Sequence, residues 1–485
     1  MPPFDSVGPA PLVQAGRNCW RLETAQRIAV LVDNEAYYAA VYEALQRARR
    51  SILLLGWHFD PRDRLLREGE HAAESAIGTV LQRLADERPG LDIRILIWEV
   101  ALPMTVKRDL YPKRAASWFR DNVRFVLDDR HPIGACHHQK VLVIDDRLAF
   151  VSGDDFEGNR WDSRGHLDHD PRRREHNGEP HPPRHSVTLM VEGEAARALG
   201  DLFRERWLHA TGETLAPPPM LPQGEHWPAD VASRFEVCPV ALARTVPEYK
   251  GLEAVKEIEA LVLDAIASAR RLLYIENQYF ASETIAEAIA RRLAEPDGPE
   301  IVAVLSLHAP NRLDKATMDA PRNALVARLR GADCHGRLHV YAPHTPGGRP
   351  IVVHSKVMIV DDRLLCVGSA NLNNRSMSFD TECNLCIDVL HAPEPEQPAL
   401  RRAVTHTLYD LVGHYIDVAA QDVAEAAARA GGLAAAIETL QQAQGARRLK
   451  PLPDKPLSLV ESLIAELHIG DPRSRRDSFR PWRRA

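Results

Sequence analysis

The sequence predicts an α/β protein built from two homologous lobes, each a mostly buried mixed sheet flanked by helices. The first observation is a phrase that occurs twice: residues 137–153 read HHQKVLVIDDRLAFVSG, and residues 353–369 read VHSKVMIVDDRLLCVGS. The second is that short, wholly apolar segments alternate with segments of helical periodicity in both halves of the chain. A duplicated α/β unit accounts for both observations.

The elements before the repeated phrase also correspond. Residues 44–59 (ALQRARRSILLLGWHF) align with residues 265–280 (AIASARRLLYIENQYF), and each stretch predicts a helix end followed by a buried strand. The apolar residues leading into these stretches recur at spacings of three and four, as on one face of a helix. They are Tyr38, Val41, Leu45 and Ala48 in the first half, and Val255, Ile258, Leu261 and Ala265 in the second. Both halves then continue with another helix and strand.

The length of 485 residues is too great for one ordinary core. We expect lobes at 20–235 and 236–430, preceded by an N-terminal extension at 1–19 and followed by a C-terminal helix and basic tail at 431–485. The composition, 45% apolar and 26% charged, is that of a globular protein. No stretch has the length of a membrane span, and the start lacks a basic segment followed by an apolar run, so we expect a cytoplasmic monomer.

The seven cysteines are scattered and odd in number, which favours reduced thiols over a disulfide framework. Cys383 and Cys386 form a lone CxxC in an apolar stretch, and we interpret this pair as packing rather than a metal site. The net charge of −6 disfavours a dedicated nucleic-acid binder.

The repeated phrase carries chemistry as well as fold. Side chains alternate along a strand, so His138 and Lys140 project to the same face, as do His354 and Lys356. Core packing explains the repeated valines, but it does not explain why His-x-Lys is repeated at the end of a strand in each half. An imidazole beside an ammonium, present twice, indicates a functional site.

The pattern His-x-Lys-x4-Asp, present twice, resembles the signature of the phospholipase D superfamily. The first copy of the motif consists of His138, Lys140 and Asp145, and the second consists of His354, Lys356 and Asp361. The second copy continues with the family's Gly-Ser-x-Asn and a later acidic residue, at Gly368, Ser369, Asn371 and Glu382. The first continues from Gly153 as SGDDFEGNRWD, and residues 274–280 (YIENQYF) are similar to another segment of true phospholipases. The resemblance covers about 20–430.

This resemblance implies two pseudo-twofold related lobes with the active site in the cleft between them. It also implies a covalent phosphohistidine mechanism without metal or other cofactor. Displacement at phosphorus needs a nucleophile, an acid for the leaving alkoxide and positive donors on the non-bridging oxygens. The family assigns the nucleophile to His138, and His354 then serves as acid and afterwards as base. Lys140 and Lys356 bracket the phosphate, with Ser369 and Asn371 as further phosphate-binding residues.

Each histidine also needs an acceptor for its second nitrogen. Glu382, 28 residues after His354, matches the family position for this role, and Asp170, 32 residues after His138, matches the equivalent position in the first half. Asp168 or Asp162 could substitute for Asp170.

Asp155 occupies the position in the first half that Asn371 occupies in the second, and its carboxylate would repel a phosphate unless turned away or protonated. The motif acids Asp145 and Asp361 are expected past the strand ends, where they brace the turn.

Five histidines lie in the loop 162–186, namely His166, His169, His176, His181 and His185. Their spacing is irregular and no cysteine accompanies them, so we expect no metal site and interpret the loop as a lip over the cleft. Trp57, Phe59, Tyr279 and Phe280 follow the paired strands and could line an acyl-accepting mouth or belong to the core. The tail at 471–485 has six arginines, which suits either solvated disorder or an anionic membrane surface.

The sequence therefore favours phospholipase D-like hydrolysis or transphosphatidylation of a glycerophospholipid at a membrane surface. The acceptor is water or an alcohol, the protein associates peripherally with the membrane, and no nucleic-acid partner is expected. The alternatives are a cardiolipin synthase-type phosphatidyltransferase, a phosphodiesterase or nuclease acting on DNA, and a membrane-binding scaffold with a relic site.

Overall fold

The structure is a computed structural model that describes residues 10–99, 112–219, 224–309, 312–455, 458, 462 and 470–474. The strands of the amino-terminal half are β1 (Arg21–Val32), β2 (Ser51–Gly56), β3 (Asp92–Trp98), β4 (Val123–Asp128), β5 (Val141–Ile144), β6 (Leu148–Ser152), β7 (Arg184–His185) and β8 (Val187–Gly193). Its helices are α1 (Asp33–Gln46), α2 (Ile77–Glu87), α3 (Pro112–Ala116) and α4 (Glu194–Thr211).

The strands of the carboxy-terminal half are β9 (Phe235–Val246), β10 (Val255–Lys256), β11 (Leu272–Asn277), β12 (Glu300–Leu305), β13 (Leu338–Pro343), β14 (Val352–Val353), β15 (Val357–Val360), β16 (Leu364–Gly368), β17 (Glu382–Asp388) and β18 (Leu449–Pro451). Its helices are α5 (Glu257–Ser268), α6 (Glu283–Ala294), α7 (Arg312–Ala332), α8 (Asn374–Ser378), α9 (Gln397–Ile416), α10 (Ala420–Ala430) and α11 (Leu433–Gln444).

Within the described ranges, sixteen strands form one mixed sheet. From the centre, β1 is followed outwards by β8, β6, β5, β2, β3 and β4. Its neighbour β9 is followed in the other direction by β17, β16, β15, β11, β12, β13 and β18, and the short strand β10 also pairs with β9. The parallel pairs β2–β3 and β3–β4 have counterparts in β11–β12 and β12–β13. The predicted α/β class, with mixed-sheet strands flanked by helices, is confirmed, but the strands of both halves join in one continuous sheet instead of one sheet in each half.

The repeated phrase forms a hairpin in each half, as its sequence predicts. β5 pairs antiparallel with β6, and β15 pairs antiparallel with β16. All four strands are fully buried, because helices cover both faces of the sheet. This burial explains why the strands read as unbroken apolar runs rather than as alternating patterns.

Alternate side chains along each strand enter different cores. One core is common to both halves and contains Phe203 and Trp207 from α4 together with Leu408 and Leu411 from α9. On the other face, α1 and α2 cover the amino-terminal strands, and α5, α6 and α7 cover the carboxy-terminal strands. The shared core and the continuous sheet make the two halves one packed unit.

The expectation that every cysteine is reduced is wrong for one pair. Cys366 on β16 and Cys386 on β17 form a disulfide, and the two residues are directly opposed in the antiparallel register. Cys383 is a buried free thiol. The second cysteine of the CxxC therefore bonds to a residue on the neighbouring strand and not to its sequence neighbour.

The segment after residue 430 is part of the packed structure. β18 pairs with β13 at the edge of the sheet, and Asp471 accepts hydrogen bonds of 3.0 Å from the backbone N–H groups of Asn374 and Arg375. Most of residues 457–470 (LSLVESLIAELHIG), where the sequence predicts the C-terminal amphipathic helix, and the basic residues from 475 onward lie outside the described residues. Among the helices that the structure describes, none has the length and hydropathy needed to cross a membrane.

The motif glycine Gly368 lies at the end of β16, where an added side chain has no room. A Cβ at this position would lie 2.2 Å from Asn384 Oδ1 and 2.4 Å from the backbone oxygen of Cys383. We therefore expect Gly368→Ala to lower the free energy of unfolding by about 1–3 kcal/mol, measured by urea denaturation. Gly90→Ala is the matched control, because a Cβ there meets nothing within 4 Å. Equal stability of the two variants would contradict this account of the glycine.

Candidate active site

The two His-x-Lys segments lie immediately before the two hairpins. His138 and Lys140 precede β5, and His354 and Lys356 precede β15. Gly153, just after β6, lets the segments approach each other, because a Cβ on it would lie only 2.6 Å from the backbone oxygen of His354 and 3.3 Å from Lys356 Cδ. The first motif's glycine thus packs against the second motif's histidine and lysine.

Glu382 orients the histidine of the other half. Both of its carboxylate oxygens lie 3.0 Å from Nδ1 of His138, and the backbone N–H of His138 donates to the oxygen of Thr381 at 2.9 Å. The expected pairing of Glu382 with its own motif's His354 is therefore wrong. The reason is that residues 137–138 run alongside 381–382, which brings the start of β17 to the amino-terminal motif.

Asp154 orients the second histidine, with its Oδ1 2.8 Å from Nδ1 of His354. Three further buried groups hold this carboxylate: Asn34 Nδ2 donates to Oδ2 at 3.0 Å, Arg184 Nη1 donates to Oδ1 at 3.3 Å, and Arg160 Nε lies 3.4 Å from Oδ1. The two carboxylates are thus exchanged between halves, since Asp154 comes from the first half and Glu382 from the second.

The expectation for Asp170 is wrong. Its carboxylate accepts hydrogen bonds from Arg172, at 2.9 Å from the backbone N–H and 2.7 Å from Nη2. Its possible substitutes are also engaged elsewhere, Asp168 with the backbone N–H of Gly347 and Asp162 with His166. Asp154 takes the role because it directly follows Gly153 and so reaches His354 without an intervening loop.

The two lysines contact the backbone of their own motifs. Lys140 Nζ donates to the oxygen of His138 at 2.9 Å, and Lys356 Nζ donates to that of His354 at 2.6 Å. Asp155 Oδ2 lies 3.3 Å from Lys140 Nζ, while its Oδ1 accepts from the backbone N–H of Trp57 at 2.8 Å. The carboxylate is therefore paired with a cation, which removes the repulsion expected of an unpaired acid near a phosphate.

Burial and the lysines set the protonation of the two imidazoles. Burial, followed by the charges of Lys140 and Lys356, holds the pKa of His138 well below its usual range. Burial also lowers the pKa of His354, with Asp154 opposing the shift and Lys356 adding to it. The ring of His138 therefore favours the neutral form in the free protein, whereas at His354 the charge of Asp154 opposes the loss of the proton.

The two orienting carboxylates differ in charge. Burial raises the pKa of Glu382 well above its usual range, although the hydroxyl of Ser369 donates to its Oε2. Burial acts in the same direction on Asp154, but the charges of His354 and Arg184 outweigh it and hold its pKa well below the usual range. His354 therefore has an ionised partner, whereas burial disfavours the ionised form of Glu382 beside His138.

The remaining motif residues lie in two places. Asn371 is buried, and its Oδ1 has no hydrogen-bond partner among the described residues. Asp145 and Asp361 stand at the hairpin turns with left-handed backbones, where each accepts three backbone hydrogen bonds from the segment that enters the adjacent strand. Asp145 also binds His226 at 2.7 Å.

Sequence reasoning missed two contributors to the site. Asp154 is the first of two consecutive aspartates after Gly153, and that doubling was the available signal. Glu276, inside the YIENQYF segment, accepts a 2.6 Å hydrogen bond from Ser355, which lies between His354 and Lys356.

Three of the four aromatic residues after the paired strands lie in clearly different environments. The ring of Trp57 lies 6.2 Å from that of His138, and Lys140 Nζ lies 5.8 Å from the centre of the Trp57 ring. Phe59 and Phe280 instead pack in the cores. Trp57 is therefore an aromatic wall of the site.

Comparison with known proteins adds independent observations. A family model described as "Cardiolipin synthase, PLD-like domain" matches residues 262–392. Phospholipase D A of Dictyostelium discoideum is 26% identical over 428 residues, covering 74% of this chain and 32% of that protein. Phospholipase D alpha 2 of Oryza sativa subsp. japonica is 26% identical over 474 residues, covering 70% of this chain and 58% of that protein. The chain thus spans about a third to three fifths of these relatives.

The fold has a counterpart among solved structures. The phosphatidylserine synthase of Haemophilus influenzae Rd KW20 superposes with a TM-score of 0.55 at 15% identity, covering 87% of this chain and 96% of that one. At this identity the likeness concerns the fold alone. The two motifs, the family model over residues 262–392 and the relatives over some 70% of the chain all match the phospholipase D superfamily.

Proposed function

We propose that this protein hydrolyses or transfers the phosphatidyl group of a glycerophospholipid through a phosphohistidine intermediate. The observation that carries the proposal is the pair of imidazoles, each held at Nδ1 by a buried carboxylate and each beside a buried lysine. Because Nδ1 of both rings is engaged, Nε2 is the nitrogen left for chemistry on each. We also infer that the fold is a duplication of two pseudo-twofold related lobes, which the matching strand orders on either side of β1 and β9 support.

In the first step, Nε2 of neutral His138 attacks phosphorus and forms the N–P bond. The P–O bond to the headgroup breaks, and the leaving alkoxide takes a proton from Nε2 of His354. In the second step, water or an alcohol gives a proton to His354 and its oxygen attacks phosphorus, which breaks the N–P bond. Both histidines then return to their starting forms.

The difference between the two carboxylates supports this assignment of roles. An ionised Asp154 stabilises a positive charge on His354, as required of the proton donor. His138 keeps a low pKa between the two lysines, as required of a neutral nucleophile. Lys140 and Lys356 supply positive charge for the non-bridging oxygens, and the amide of Asn371 offers a further polar contact.

A second candidate is phosphatidyl transfer to a lipid alcohol. The observation that favours it is the family match, whose description names cardiolipin synthase. The chemistry at His138 and His354 is the same in both cases, and only the acceptor in the second step differs. In either case the substrate requires a peripheral approach to a lipid surface.

An assay with mixed phospholipids, with and without a primary alcohol, tests the proposal. We expect a phosphatidyl-alcohol to form at the expense of phosphatidic acid as the alcohol concentration rises, because any small nucleophile can resolve a covalent intermediate. Products are identified by mass. Formation of phosphatidic acid alone at high alcohol contradicts the two-step route, and turnover of DNA but not lipid contradicts the substrate class.

The roles of the two histidines can be separated with an activated diester, whose leaving group needs no proton. His354→Ala is expected to form a phosphohistidine with this substrate, whereas His138→Ala forms none. Rapid quenching followed by peptide mass spectrometry locates the phosphate. Phosphate on the peptide that contains His354, or any in the His138→Ala protein, reverses the assignment.

The pH profile follows from the environment of His138. Since burial and the two lysines lower its pKa, the acidic limb of kcat/KM for the activated diester should lie below pH 6.5, the ordinary histidine value. Removing one positive charge in Lys356→Met is expected to move the limb upward. A limb at or above 6.5 in the unmodified protein, or no movement in the variant, is inconsistent with His138 as the neutral nucleophile.

A further inference from the structure

A second cluster of titratable side chains lies outside the candidate active site. It consists of Asp33, His166, His185 and His414, which are all buried, and their potential ligand atoms all lie within 4.8 Å of one another. Asp33 opens α1, His166 lies in the loop after β6, His185 lies on β7 and His414 lies near the end of α9. Four separate segments thus converge on one point.

The distances are those of a compact coordination shell. Asp33 Oδ2 lies 2.9 Å from Nε2 of His414 and 3.4 Å from Nε2 of His166, and these two nitrogens are 3.0 Å apart. Asp33 Oδ1 lies 3.0 Å from Nδ1 of His185. Ligands about 2.0–2.1 Å from a tetrahedral zinc ion stand roughly 3.3–3.4 Å from one another.

Two of the histidines have their outward nitrogens bound to carboxylates. Nδ1 of His166 is 3.0 Å from Asp162 Oδ2, and Nε2 of His185 is 3.1 Å from Glu276 Oε2. A carboxylate at this position holds the proton on the outward nitrogen and directs the lone pair of the inward nitrogen to the centre of the cluster. This arrangement is typical of metal-binding histidines.

Polar atoms at the centre of the cluster lack hydrogen-bond partners. Asp33 Oδ2 and Nδ1 of His185 are buried and, within the part of the chain that the structure describes, make no hydrogen bond of acceptable geometry. Lone pairs from inward-facing imidazoles beside a carboxylate repel one another unless protons or a cation lie between them. A cation at the centre would satisfy all four side chains at once.

We propose that Asp33, His166, His185 and His414 bind one zinc ion in a buried structural site. Three imidazoles and one carboxylate suit zinc, whereas calcium and magnesium prefer an all-oxygen shell. Four protein ligands leave no open position, so the site holds the fold together and takes no part in phosphoryl transfer. The site replaces the expectation of no metal, and only two of the five loop histidines contribute to it.

The zinc site would stabilise the segment that carries the second motif. The backbone oxygen of His185 accepts a 2.8 Å hydrogen bond from the N–H of His354, and Glu276 binds both His185 and Ser355. His414 adds the end of α9 to the same centre. The ion would thus connect the loop after β6, the start of α1 and α9 to the segment that carries His354.

The test measures metal in the full chain, purified without chelators from zinc-supplemented medium. We expect about one zinc ion per chain, falling close to zero in His166→Ala and His414→Ala because each variant lacks one of the four ligands. His169→Ala is the matched control, since this exposed histidine of the same loop lies outside the cluster. Folded protein without stoichiometric metal, or equal zinc in both ligand variants and the control, overturns the proposal.

A second measurement needs no variant and decides the matter if the ligand variants fail to fold. The unmodified chain is produced in cobalt-supplemented medium, and its visible spectrum is recorded. Four-coordinate cobalt at the site gives the ligand-field absorption of a tetrahedral centre. A folded, cobalt-free protein means that protons alone hold the four side chains together, and a six-coordinate spectrum means that the metal lies elsewhere. Either result overturns the proposal, and neither depends on whether the protein acts on lipids.

Discussion

Each imidazole of the site is held at Nδ1 by a buried carboxylate that comes from the opposite half of the chain. Glu382 reaches His138 from the carboxy-terminal half, and Asp154 reaches His354 from the amino-terminal half. Neither histidine is oriented unless the two halves keep their relative position. The continuous sheet through β1 and β9 and the core shared by α4 and α9 supply that rigidity. A site that depends on exchanged partners needs a single packed unit rather than two mobile domains.

The electrostatics of the site follow from burying two ammonium groups beside two imidazoles. Buried charges are costly unless they are paired. Lys140 is paired with Asp155, whereas the corresponding position of the second half is the neutral Asn371, so the two halves of the site differ in charge. The same difference continues in the orienting carboxylates, because the charges of His354 and Arg184 outweigh burial and hold the pKa of Asp154 low, whereas burial raises the pKa of Glu382. A duplicated framework thereby presents two histidines of unequal character.

A network of buried polar side chains lies next to the second motif. Glu276 accepts hydrogen bonds from Ser355 and Tyr274 and binds His185, which in turn lies against Asp33. The short parallel pairing of β7 with β14 brings this network next to His354. Packing alone does not specify such a network, because every buried polar group in it needs a partner. A bound cation would explain why so many titratable groups converge there.

The sequence by itself determined the α/β class, the repeated hairpins, the two His-Lys pairs and the aspartates at the turns. These features depend on local spacing, since alternation along a strand fixes which side chains share a face. Only the tertiary structure decided which carboxylate serves which histidine, so that Glu382 crosses to His138 and Asp154 displaces Asp170. It also decided the Cys366–Cys386 pair, which requires the register of β16 against β17, and the convergence of Asp33 with His414. Partners such as these are selected by distance in space between segments far apart in the chain, and no local pattern records that distance.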